Sequence, residues 1–366
     1  MATGADWLDV AGPHLPPSLI GAPALRRLRD LARRLPGTSL LALEARLAPE
    51  RSAGSPVDLS VRLQRPAEAL AVARALDGSQ PLHLRGLLES WARARWRPAR
   101  VPELWLEFDL DGEPPASSLP VPIVCARLAA GAGPAFLLDS LLPRMLGRSP
   151  PEGQRRLLAR CLEAIRPPAL PLYLFALLSR RRDEVRLEIA GLDLAAAGAC
   201  LEAVGVPGRR RLDDLEPLFG GVERLLLSVD VGPRAVAPRF GLGGSYRRLP
   251  AREPRWAALL DRLVAAGLGC RRKSRAVLAW TGYDTPATAG DRWPWRRSPG
   301  REFVARALSH LKVVVRPSAP FEAKVYLFVQ HLHRRPRRGA EPGGPRTQAA
   351  GAPSPSSRSR ASTRSR

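Results

Sequence analysis

Five cations, Arg186, Arg239, Lys312, Arg316 and Lys324, sit in short segments of alternating polarity spread over the second half of this 366-residue chain. A diphosphate takes up several such groups at once, because its charge and its oxygens need many donors. Trp105, Tyr326 and Phe328 occupy similar segments and offer π faces to a carbocation or an aromatic acceptor. Glu107 and Asp109 share a face with Trp105, while Leu104, Leu106, Phe108 and Leu110 form the other face of the same run. The last such run sets Ala323, Val325, Leu327 and Val329 against Glu322, Lys324, Tyr326, Phe328 and Gln330.

The lysines stand out. Among 58 basic residues only Lys273, Lys312 and Lys324 are lysine. In a chain so rich in Arg, a retained lysine points to a need for a compact ammonium rather than a planar fork.

Other chemistries find no pattern. Asp213-Asp214 lacks a third acid, since Pro217 stands where it would fall. Gly241-Leu242-Gly243-Gly244 opens no helix, and neither a P-loop nor a G-x-S-x-G elbow occurs. His331 and His333 share a strand face and could join His310. No carboxylate or Cys stands at ligand spacing, so no metal site is expected.

The segments that carry these residues come in pairs: 39–47 with 57–64, 103–111 with 121–128, 171–178 with 185–190, 223–231 with 238–246, and 310–316 with 322–331. Period-two alternation broken by Gly, Pro and Ser marks hairpins. Helical stretches fill the intervals, at 18–35 (with Ser18 as N-cap), 67–76, 82–96, 135–146, 151–165, 192–204, 212–219, 254–268 and 301–308. The unit is α-β-β-α, five times over.

Five hairpins with helices outside can close into a ten-strand antiparallel barrel, an α+β architecture without free edges. The alternative is an open antiparallel sheet covered by helices on one face. In a barrel the polar faces line a charged lumen, with Trp105, Asp109, Arg186, Phe328 and Gln330 among the lining residues.

This order of elements resembles the ABBA-type, or PT-barrel, aromatic and peptide prenyltransferases. The resemblance implies an isoprenyl diphosphate donor bound by Arg239, Lys312, Arg316 and Lys324. Lys324-Val325-Tyr326 is similar to the family's K-x-Y pairs, which makes Tyr326 the shield of the allylic cation. Glu107 then takes the acceptor's proton. The acceptor implied is a small aromatic molecule or a peptide. No resident cofactor is implied, and a need for Mg2+ is left open.

A net charge of +24 also raises nucleic acid as a partner. However, nine Arg and one Glu lie between His333 and Arg366, in a segment poor in aromatics and rich in Pro, Ser and Gly. Residues 334–366 are therefore expected to be a disordered tail after a single domain over 1–333. The other Arg are dispersed, so nucleic acid is the lesser reading, with the tail as its carrier. A non-catalytic barrel that binds a peptide or small molecule is the main alternative to an enzyme. Cys125, Cys161, Cys200 and Cys270 show no C-x-x-C spacing and read as free thiols. With neither a secretory start nor an apolar run of spanning length, a cytoplasmic protein is expected.

Overall fold

The computed structural model describes residues 3–48, 57–76, 80–95, 97–110, 119–180, 183–207, 209–295 and 302–333. Its strands are β1 (Leu40–Arg46), β2 (Val57–Leu63), β3 (Glu103–Phe108), β4 (Ile123–Arg127), β5 (Leu170–Ala176), β6 (Val185–Leu192), β7 (Arg224–Val231), β8 (Val236–Ser245), β9 (Gly282–Asp284), β10 (Glu302–Val315) and β11 (Glu322–His333).

Strands β1 to β8 pair antiparallel in chain order, and β8 then pairs with β10 and β10 with β11. The last strand returns to the first. Six consecutive pairs, Leu41↔Val329 to Arg46↔Lys324, join β1 to β11. That seam closes ten strands into a barrel. The short β9 lies beside the first half of β10, with Val304 opposite Asp284.

The two strand faces have different fates. Leu41, Leu43, Leu59, Val61, Leu104, Leu106, Leu187, Val229, Leu311 and Val325 belong to one continuous core between the strands and the outer helices. Helices meet that wall with apolar stripes at helical spacing: Leu84, Leu87, Leu88 and Trp91 on 82–93, and Trp256, Leu259, Leu260 and Leu263 on 255–265. The opposite strand face carries Glu44, Asp58, Arg62, Glu103, Glu188, Ser228, Asp230 and Lys312, all buried. These residues line the lumen.

Lys273 has neither place. Fully buried on the helix Arg271–Trp280, it donates to the carbonyls of Arg46 and Ala48 at 2.9 Å each. It thereby ties that helix to the end of β1.

Two local expectations fail. Residues 302–308 are strand, not helix, and β10 runs for 14 residues. Val304, Arg306 and Leu308 face the core side while Phe303, Ala305 and Ala307 face away, and a bulge between Leu308 and His310 absorbs the change of phase. That one-residue slip hid the strand from a strict period-two reading. The helix expected from Ser18 starts at Ala22 with Gly21 as N-cap, because Pro16 and Ile20 are held in a turn first. An unexpected helix, Gly4–Ala11, is capped by Thr3, whose hydroxyl and amide both meet Asp6.

The turn of the second hairpin (111–118) and the tail 334–366 lie outside the described residues. Within the described residues no helix is long and apolar enough to cross a membrane, and all four cysteines are free.

Candidate functional site in the barrel lumen

The site begins at the last hairpin. Lys312 on β10 lies directly opposite Lys324 on β11, and the next lumen-facing pair is His310 with Tyr326. The imidazole stacks on the phenol with centroids 4.0 Å apart and planes 12° from parallel. Burial pushes His310 down to about 4, so the ring is neutral at neutral pH and serves as a flat aromatic partner. Burial also raises the Tyr326 phenol well above its usual range, helped by Glu44 and Glu107.

Each expected diphosphate cation is matched by a carboxylate. Lys324 Nζ lies 2.5 Å from Glu44 Oε1. Lys312 Nζ donates to Ser228 Oγ at 2.7 Å and approaches Glu188 at 3.4 Å. Arg239 bridges Asp230 (2.8 Å) and Glu184 (2.6 Å), and Arg186 grips Asp230 through two bonds of 2.7 and 3.2 Å. Arg316 reaches Glu322 at 2.8 Å from a half-exposed position at the barrel mouth. The electrostatic response follows the pairing. Although burial opposes ionisation, Lys324 and Arg46 hold Glu44 well below the usual carboxylate range, and Arg186 holds Asp230 down to about 2. Lys312 is shifted down, because its burial outweighs the attraction of Glu188.

Two acids move the other way. Asp58 faces Glu44 across β1 and β2. Burial and that neighbour raise it to about 8, even with Arg46 at 2.7 Å, since Arg46 is shared with Glu322. Glu107 is raised by burial and by Glu44 and Asp109, with Arg180 opposing at 3.8 Å. A buried carboxyl with a raised pKa is suited to take or give a proton near neutral pH. Asp109 stands just beyond β3, held by Ser179 (2.8 Å) and Arg180 (3.1 Å).

The aromatic lining is richer than the K-x-Y pair alone. Trp105 and Phe328 lie 5.9 Å apart across the lumen, and Trp105 donates to Glu103. Phe175 and Tyr173 on β5 form a second group, with Arg186 over the Phe175 ring at 5.9 Å. Glu44, Asp58, Tyr173 and Phe175 are not singled out by the sequence; alternation sets Glu188 on the face of Arg186, and His310 enters only as a companion of His331 and His333. Alternation along β1, β2 and β5 could have placed these four, and the bulge between Leu308 and His310 conceals that His310 faces the lumen.

Arg186 and Arg239 share Asp230, and Lys324 and Tyr326 share Glu44, whereas Lys312 meets Glu188 and Ser228 and Glu107 meets Arg180. Gln330 is not with them. It lies toward the other end of β11, in a rim cleft of about 540 Å³ with Trp7, Ser39, Gln64 and Arg65.

No protein-family model and no curated protein sequence matches the chain. Solved structures do. The structure of a 6-dimethylallyltryptophan synthase from Micromonospora olivasterospora, in complex with DMASPP and Trp, aligns with a TM-score of 0.52 at 16% identity over 89% of this chain and 97% of that one. The NotF prenyltransferase aligns with a TM-score of 0.51 at 11% identity over 91% and 94%. The fold is the PT barrel. Here the polar strand faces line the barrel interior, which holds paired lysines, raised-pKa acids and aromatic rings.

Proposed function

We propose that this PT barrel transfers an isoprenyl group from its diphosphate to an aromatic or peptide acceptor inside the lumen. The observation that carries the reading is the last hairpin, where two lysines face each other beside a stacked His310–Tyr326 pair. Lys312 and Lys324, with Arg239 and Arg316 behind them, hold the diphosphate. Its several negative charges compete with the single charges of Glu44 and Glu188 for the ammonium groups. The allylic C–O bond breaks and the diphosphate leaves with the electron pair. Tyr326 and its neighbouring rings stabilise the allylic cation through their π faces. The acceptor's electron pair forms the new bond to the allylic carbon, and the proton displaced from the acceptor passes to Glu107.

A second reading, a barrel that binds without chemistry, draws support from the same lumen, because its cations are already neutralised by Glu44, Glu188, Asp230 and Glu322.

One experiment separates them. The full chain is titrated calorimetrically with dimethylallyl, geranyl and farnesyl diphosphates, and then incubated with them and tryptophan- or tyrosine-containing acceptors under mass spectrometry. Transfer predicts binding of at least one diphosphate, lost in Lys324→Ala, and a prenylated product. Absence of diphosphate binding would sink the transferase reading. Binding without product for any acceptor would favour the second.

A further inference from the structure

At the rim of the barrel, the far end of the last hairpin brings three metal-ligand side chains together. His331 and His333 alternate onto one face of β11, and Glu302 pairs directly with His333 across β10. Glu302 Oε1 lies 3.4 Å from His333 Nδ1, and Glu302 Oε2 lies 3.6 Å from His331 Nε2. The three ligand atoms fall within 4.8 Å of one another. Two donors at 2.0–2.1 Å from a tetrahedral ion are themselves about 3.4 Å apart.

A second observation points to a ligand. Among the described residues, Glu302 Oε2 and His331 Nε2 are both buried and neither has a hydrogen-bond partner, in a residue (Glu302) that is only 9% exposed. Leaving two such atoms without a hydrogen bond is costly, whereas one ion between them satisfies both. Their separation is too long for a hydrogen bond and fits a shared cation.

The surroundings hold the site in shape. Trp295 stacks on the His331 ring at 4.0 Å, and Trp7 and Trp293 meet its edges. These rings fix the imidazole plane and keep water from one side. His333, 67% exposed, leaves a path for the ion to enter. Two borderline imidazoles with one hard carboxylate suit zinc and its neighbours better than Mg2+ or Ca2+, which take all-oxygen sets.

We propose that Glu302, His331 and His333, which line the rim cleft beside Gln330, bind one zinc-class divalent cation there, with water completing its coordination. The ion clips the start of β10 to the end of β11 under the N-terminal helix. It lies at the rim, away from Lys312 and Lys324, and is independent of whether the barrel is an enzyme.

The test uses the full chain after chelator treatment, with ZnCl2 and CoCl2 as probes. Expected are one zinc per chain by elemental analysis, the visible absorption bands of four-coordinate Co2+, and a rise in thermal midpoint on adding zinc. His333→Ala removes an exposed side chain and Glu302→Gln keeps the shape, so both variants should fold. Both should lose stoichiometric uptake, the cobalt spectrum and the thermal shift. No uptake by the unmodified chain would overturn the proposal. So would uptake undiminished in the two variants, which would place the ion on other groups such as the half-buried Cys270.

Discussion

Lys324 on the last strand and Glu44 on the first meet at 2.5 Å inside the barrel, so the seam that closes the sheet is also an ion pair. Glu44 is 5% exposed, and without Lys324 it would be a buried charge whose remaining cation, Arg46, is 3.6 Å away. Lys324→Ala should cost about 3–5 kcal/mol of stability by urea denaturation. The double variant Glu44→Gln with Lys324→Met should recover most of that loss, because neither half then leaves a charge unpaired.

Gly241 pairs with Val314 across β8 and β10, and a Cβ at Gly241 would meet the side chain of Lys312, its diagonal neighbour. Gly241→Ala should push the ammonium away from Ser228 and Glu188. Folding stability should change little, because Ala suits a strand better than Gly and the obstructing atoms belong to a flexible chain. If the lumen binds an isoprenyl diphosphate, its affinity by calorimetry should weaken about tenfold, roughly 1.4 kcal/mol.

Lys273 supplies two hydrogen bonds from full burial to the end of β1. Lys273→Met keeps the stem and orphans both carbonyls. A loss of about 2–3 kcal/mol is expected in the same denaturation assay. Lys273→Arg should not rescue it, because the planar fork does not fit the ammonium's place.

Stability should fall toward both acid and mild alkali, for different reasons. His310 is held at about 4, below its ordinary 6.5, so the unfolded chain takes up its proton first. Its contribution is complete above pH 6.5 and is lost as pH falls toward 4. Asp58 is held at about 8, above its ordinary 3.8, so the folded chain keeps the proton longer. Its contribution is complete below pH 4 and is lost as pH rises through 8. His310→Gln should flatten the acid limb and Asp58→Asn the alkaline limb, each by about 1–3 kcal/mol in a pH series of denaturation curves.

If the barrel transfers isoprenyl groups, Glu107→Gln should lower turnover about a hundredfold and leave diphosphate affinity within a factor of about three. A variant with lost affinity and unchanged turnover would assign Glu107 to binding instead.

Much of the architecture was legible because a strand's period of two is a local property. Leu104, Leu106 and Phe108 alternate with Trp105 and Glu107 whether or not the partner strands are known, and the five pairs follow from repeating that test along the chain. The lumen-facing residues Arg186, Arg239, Lys312, Lys324 and Tyr326 were legible on the same ground. So was the special standing of the three lysines: Lys273 and Lys312 are buried and Lys324 is nearly so.

Other features depend on which strand lies beside which. Closure is one, since only the β1–β11 seam brings Glu44 to Lys324, 280 positions apart along the chain. The neutralisation of every expected diphosphate cation is another, because Glu188 and Asp230 come from β6 and β7. The extension of β10 past the Ser309 bulge is a third. It turned an expected helix into a strand and set Glu302 beside His331 and His333, the carboxylate that spacing along the chain could not supply. Alternation tells each residue its face from its immediate neighbours. Pairing, charge balance and ligand sets are properties of long-range contacts, and those exist only once the barrel has closed.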